Sequence, residues 1–176
     1  WSAPADPVEL RRLDGLDGPV LDVGSGPGRL VVALAERAIP ALGVDASPAA
    51  VALANERGAP TLRRSVFDPL PGTGRWRAVL LFDGNIGIGG DPAPLLRRVV
   101  QLLAPAGRAI VETGRADAGL ERYPARIERG DRCTEWFPWA SIGAHRLAAV
   151  AFDAGLDVHE ILCDHGRWFV ELRRPR

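Results

Sequence analysis

Three glycines alternate in the stretch Val20-Leu21-Asp22-Val23-Gly24-Ser25-Gly26-Pro27-Gly28-Arg29-Leu30. Apolar residues lead into them, and Leu30, Val31, Val32, Leu34 and Ala35 follow with helical character. A strand that feeds a helix through a glycine-rich turn gathers backbone N–H groups and a helix N-terminus at one point. Glycine there allows a ligand to approach the backbone and permits positive φ. The spacing narrows the ligand. A dinucleotide fingerprint, G-x-G-x-x-G, needs glycine at position 29, which is Arg29 here. Asp22 precedes the first glycine by two positions, and a carboxylate beside the loop repels phosphate and favours a cationic ligand. A second acid, Asp45, follows the first glycine by about 20 residues, where sheets of this kind place a carboxylate for ribose hydroxyls. One carboxylate can accept from both hydroxyls of a diol. Asp45-Ala46-Ser47-Pro48 is also good helix-starting chemistry, with Ser47 as cap and Pro48 in the first turn. The two roles are compatible.

The pattern D-x-G-x-G-x-G, set by Asp22, Gly24, Gly26 and Gly28, resembles motif I of the class I S-adenosylmethionine (SAM)-dependent methyltransferases. SAM carries an ammonium, a sulfonium and a carboxylate but no phosphate, which suits Asp22. The resemblance runs over nearly the whole chain. It implies SAM as cofactor and S-adenosylhomocysteine (SAH) as product. It also implies a cofactor pocket made by Asp22, Gly24, Ser25, Gly26, Gly28, Asp45, Ala46, Ser65, Val66, Phe67, Asp83, Gly84 and Asn85. Ser65 stands where the family usually has an acid for the adenine amino group, so the acceptor is weaker here. Val66 and Phe67 would wall the adenine slot and offer a backbone N–H, although Phe67 reads equally well as core. The loop Asp83-Gly84-Asn85-Ile86-Gly87-Ile88-Gly89-Gly90-Asp91-Pro92 resembles one found in a group of actinobacterial methyltransferases. A bacterial source with a GC-rich genome also fits a chain without lysine or methionine.

The elements that must position these residues follow from periodicity and punctuation. A short helix is expected over Val8–Leu13, and strands over Val20–Val23, Ala41–Val44, Thr61–Arg64 and Arg77–Phe82. The apolar Arg77–Phe82 run suits a central parallel strand. Helices are expected from Leu30 to Arg37 or Ala38, from Pro48 to Gly58, from Ala93 to Leu103 and from Ser141 to Ala154. Leu103 to Glu112 resembles the family's approach to its fifth strand, with Ala106 in place of a glycine. Val158–Cys163 and Trp168–Leu172 read as a closing hairpin. The fold expected is α/β: a Rossmann-like, doubly wound, three-layer α/β/α domain with a seven-stranded, mostly parallel sheet and a terminal antiparallel hairpin. The strand order 3-2-1-4-5-7-6 is carried over from the family. One domain is expected across 1–176, with a β-hairpin insertion at about 113–140. There, Arg126-Ile127-Glu128 and Cys133 to Phe137 flank Arg129-Gly130-Asp131-Arg132.

The insertion follows a strand end, where it can roof an acceptor pocket. Trp136, Trp139 and Arg115 are its candidate acceptor-binding residues. A solvated charged hairpin with a structural tryptophan patch is the competing reading. For catalysis, the sulfonium is an activated donor, so direct in-line displacement is expected, with no metal and no covalent intermediate. If the acceptor must lose a proton, Asp83 and His145 are the candidate bases. Asp83 can instead hold the donor ammonium or the glycine loop, and His145 can be an ordinary helix residue.

Composition sets the remaining bounds. The 176 residues carry 22 basic and 22 acidic side chains, so no global field draws the chain to nucleic acid or to an anionic membrane. A small-molecule acceptor is expected, with no nucleic-acid or membrane partner, acting as a monomer or homodimer. Cys133 and Cys163 lack metal-site spacing and suit free thiols in the cytoplasm. Two further classes stay open. A non-catalytic SAM-binding module would lack an enclosed acceptor cavity, and an NAD(P)-binding oxidoreductase already lacks the third glycine at its proper spacing.

Overall fold

The computed structural model describes residues 3–129 and 132–175. Helix α1 (Pro7–Leu13) starts at a reciprocal cap: the Asp6 side chain accepts from the Glu9 N–H and the Glu9 carboxylate accepts from the Asp6 N–H, both at 2.9 Å. Asp-Pro-x-Glu satisfies two otherwise unpaired donors, and Pro7 removes a third. Strand β1 (Val20–Val23) is buried throughout. The glycine loop then enters α2 (Arg29–Ala35), which ends before the expected Arg37. β2 (Ala41–Asp45) and α3 (Pro48–Glu56) follow, with the Ser47 hydroxyl capping α3 by accepting from the Ala50 N–H at 3.3 Å. β3 (Thr61–Arg63) and β4 (Trp76–Leu81) come next, then a 3-10 turn over Asn85–Gly90. Asp91 caps α4 (Pro92–Leu102), and β5 runs over Leu103–Thr113.

The seven-stranded sheet is built of β1 to β5 with two later strands, β10 (Asp157–Asp164) and β11 (Arg167–Arg173). Its order is β10-β11-β5-β4-β1-β2-β3. β1 is parallel to β2 and β4, β2 to β3, and β4 to β5. β11 is antiparallel to both β5 and β10. This is the order and polarity that the resemblance implies. Alternation along the strands divides the core between the two faces. Val20, Ala78, Leu80, Phe82, Ile110 and Phe169 pack with α1 and α2. Leu21, Val23, Val79, Leu81, Val111 and Val170 pack with α4 and with α5 (Ala144–Asp153). Asp22 alternates with Leu21 and Val23, so it points to the α1 and α2 side.

The insertion differs from the expectation in depth. β6 (Leu120–Ala125) pairs antiparallel with β9 (Phe137–Ile142), with Leu120 opposite Ile142 and Ala125 opposite Phe137. Beyond them lie β7 (Glu128–Arg129) and β8 (Arg132–Cys133). The expected turn residues Gly130 and Asp131 lie outside the described residues. Strand β9 takes Ser141 and Ile142, so α5 begins at Ala144 rather than Ser141.

Candidate active site

The glycine loop, the end of β4 and the cap of α1 meet above the carboxyl ends of the central strands. In the loop, Gly24, Gly26 and Gly28 all have positive φ, at 71°, 54° and 78°. Two of them also clear space for neighbours. A Cβ on Gly24 would lie 2.5 Å from the Asn85 side-chain nitrogen, and one on Gly28 would lie 2.5 Å from the Ala59 Cβ. The Gly24 gap is used: the Asn85 amide donates to the Val23 carbonyl at 2.9 Å and to the Gly24 carbonyl at 3.0 Å. Asn85 therefore ties the post-β4 turn to the glycine loop. Gly84 and Asp83 before it are left-handed, at φ 73° and 55°.

Asp45 has a role that neither sequence reading named. One oxygen accepts from the Gly26 N–H at 2.9 Å and the other from the Ser47 N–H at 2.7 Å. The carboxylate at the end of β2 thus braces the glycine loop, while Ser47, not Asp45, caps α3. Each oxygen retains a lone pair, so accepting from a diol is compatible with the brace.

Asp22 lies beneath the loop, 2% exposed, and its Oδ2 has no hydrogen-bond partner. Burial pushes its carboxyl up to about 7; Arg29 opposes the rise, and the charges of Asp83, Asp45 and Glu9 add to it. Around it stands an ionic cluster that the sequence reading missed. Arg29 donates from Nη2 to Glu9 Oε1 at 2.6 Å and from Nε to both Glu9 oxygens at 3.1 Å. The same Nη2 donates to Asp83 Oδ2. Arg167, on β11, forks onto Glu112, with Nε to Oε1 and Nη2 to Oε2 both at 2.8 Å. It also donates to Asp6 at 2.6 Å and to Glu9 at 3.3 Å. Glu112 Oε2 in turn accepts from the Asp83 N–H at 2.8 Å. Burial alone would raise the Glu9 carboxyl, but the Arg29 hydrogen bonds, the Asp6 N–H and Arg167 together hold it below its ordinary value. Hydrogen bonds to Glu9 and Glu112 raise Arg29 and Arg167 respectively. Asp6, Glu9, Asp83 and Glu112 outnumber the two arginines, so the cluster remains acidic. The D-x-x-E capping pattern before α1 was the one local signal for part of it.

The other expected residues take varied positions. Ser25 is buried, with its hydroxyl beneath the loop against Gly43 and Thr61, and its N–H donates to the Val44 carbonyl at 3.2 Å. Its contribution is to the loop's own packing. Ala46 is exposed between Asp45 and Ser47. Ser65 Oγ accepts from the Phe67 N–H at 3.2 Å, so that N–H, one of those expected to face adenine, is already engaged. Val66 is core, and its carbonyl accepts from Arg98 at 2.9 Å. Phe67 is not core: it is 45% exposed and lies beside Gly89.

Trp139 packs on the glycine turn, where a Cβ on Gly87 would lie 2.7 Å from its Nε1 and 2.1 Å from the Ala140 carbonyl oxygen. Gly87 and Gly90 admit strand β9, a Cβ on Gly90 falling 2.7 Å from that of Pro138. Tyr123 stands opposite Trp139 on the hairpin, and Phe137 meets Trp139 edge-on at 5.8 Å between ring centres. Trp136 is 62% exposed under the Arg126 guanidinium. Arg115 is exposed and pairs with Asp117 at 3.5 Å. His145 is exposed in the first turn of α5, and among the described residues no hydrogen bond or ion pair joins its ring to the cluster. The site thus unites Asp22, the glycines, Asp45, Asp83, Gly84 and Asn85, and sets Trp136, Arg115 and His145 apart from those contacts.

Comparison with known proteins bears on the fold and the family. The family model described as "Methyltransferase domain" matches residues 4–161. No curated protein matches the chain. Among solved structures, a SAM-dependent methyltransferase from Bacteroides fragilis in complex with SAH has a TM-score of 0.82 at 24% identity, covering 98% of this chain and 78% of that one. The 1,6-didemethyltoxoflavin-N1-methyltransferase of Burkholderia thailandensis has 0.73 at 19%, covering 97% and 78%. A sugar N-methyltransferase from a Streptoalloteichus species has 0.70 at 19%, covering 95% and 84%. These likenesses are to the fold, and the family follows from the match across most of the sequence: the chain belongs to the methyltransferase domain family.

Proposed function

We propose that this methyltransferase uses SAM as its donor and transfers the methyl group to a small-molecule acceptor by direct displacement. The observation that carries the reading is Asp22. A carboxylate buried beneath a left-handed glycine loop, with one oxygen unpartnered, disfavours a pyrophosphate and favours a cation. The acidic excess of the surrounding cluster points the same way. NAD(P) is the poorer fit for that reason as well as for the glycine spacing.

In this reading Asp22 and Asp83 face the cationic amino-acid end of the donor, and the Asp45 carboxylate accepts from the ribose while bracing the loop. The exposed ring of Phe67, at the end of the third parallel strand, walls the adenine. Bound SAM supplies a methyl group already activated on a positively charged sulfur. The chain's own task is alignment and the exclusion of water. The hairpin β6–β9, seated on the post-β4 turn through Trp139, forms the wall on the acceptor side. The acceptor class draws support from the Burkholderia structure, which holds 1,6-didemethyltoxoflavin with SAH, and from the sugar N-methyltransferase. The exposed free thiols of Cys133 and Cys163 fit a reducing, cytoplasmic setting.

Asp83 is already committed to Arg29, which favours the donor-holding role over proton abstraction. Titration calorimetry with Asp83→Asn separates the two roles. Loss of a charge-assisted contact should weaken SAM binding by roughly tenfold or more. Unchanged SAM affinity would return Asp83 to the candidate bases, where its loss slows the chemical step by about 10²–10⁴.

A further inference from the structure

The described contacts reach Asp83 from four directions. Its N–H is held by Glu112 of β5, its carboxylate by Arg29 of α2, Arg29 in turn by Glu9 of α1, and Glu112 by Arg167 of β11. A left-handed backbone, which Asp83 adopts, is unfavourable at a non-glycine residue and persists where the surroundings over-determine it. Here they do. Arg167 is the hub: its fork fixes both oxygens of Glu112, its Nη1 holds Asp6, and its Nη2 lies 3.9 Å from Asp83 Oδ1. Its guanidinium also rests over the Phe169 ring, 5.4 Å from the centroid, which restricts it further.

We propose that Arg167 is a positioning residue for the methyl donor: acting through Glu112, it sets the backbone and carboxylate of Asp83 to receive the donor's amino-acid end. The inference rests on the SAM reading above. It gives the antiparallel strand β11 a part in the site, although Arg167 itself need not touch the donor. The planar fork is essential to it, because one guanidinium must satisfy both oxygens of Glu112 while reaching Asp6 and Glu9. A lysine offers the same charge without that geometry.

The test uses three probes on the full chain, by calorimetry or competition: SAM, SAH and 5′-methylthioadenosine. The last keeps adenine, ribose and sulfur but lacks the amino-acid end. Arg167→Ala should weaken SAM and SAH by roughly tenfold or more and leave 5′-methylthioadenosine within about twofold of the wild type. Arg167→Lys, which preserves charge and guards against loss of folding, should show the same selective loss in milder form. Equal weakening of all three probes would overturn the proposal, because that is what a merely structural role produces. Wild-type SAM affinity in Arg167→Lys would overturn it too. Failure of the wild type to bind SAM or SAH is a separate outcome and would overturn the donor assignment itself.

Discussion

Burying Asp22 costs free energy that the fold itself does not recover. An unfolded aspartate titrates near 3.8, and the folded one is pushed up to about 7. Below both values the group is protonated in either state and costs nothing. Between them the folded chain holds a proton that the unfolded chain has released, so stability falls as pH rises. Above about 7 the full penalty stands, at most about 4 kcal/mol for a shift of this size. Asp22→Asn removes the titration. In denaturant melts without donor, the variant's advantage over the wild type should grow from pH 4 to pH 8. An offset that does not move with pH would contradict the assignment. The same carboxyl predicts that SAM binds more tightly as pH rises through 7, because the donor's positive charge draws the proton off. Asp22 was legible from its place before the first glycine. The pairing of Arg29 with Glu9 and of Arg167 with Glu112 beside it was not, because an ion pair between residues so distant in the chain leaves no mark on local spacing.

The insertion shows where periodicity fails. Leu120–Ala125 and Phe137–Ile142 carry Pro124 and Pro138 opposite each other, and the first also carries Glu121 and Arg122. That composition reads as loop, yet the two segments form the long ladder of the hairpin. The short central strands and capped helices were legible because their apolar runs and cap residues are local. The hairpin owes its register to a tertiary contact instead: β9 lies on the 3-10 turn, and Gly87 and Gly90 let it approach. Gly87→Ala should therefore cost about 1–3 kcal/mol, the range for overpacking a tight contact, since the Ala140 oxygen is backbone and cannot swing aside. Chemical denaturation measures it. A neutral Gly87→Ala would contradict the role of this glycine in seating the strand.

The molecule as a whole places every group of the site at the carboxyl ends of parallel strands, where ligands bind in open α/β sheets. The sheet order was legible only through the family resemblance, since crossovers are not written in local sequence. Segments far apart in the chain contribute through charge: Asp6 and Glu9 at the start of α1 both meet Arg167 of the last strand, which lies 3.9 Å from Asp83. Net neutrality hides this arrangement, because opposite charges are sorted into one acidic cluster rather than spread evenly. The central claim is that the cluster and the glycine loop together select an adenosyl donor with a cationic end. Titration calorimetry of the unmodified chain with SAM, SAH and NAD tests it most directly. Saturable binding of SAM and SAH, with none of NAD, is the predicted result; binding of NAD with neither adenosyl compound would contradict it.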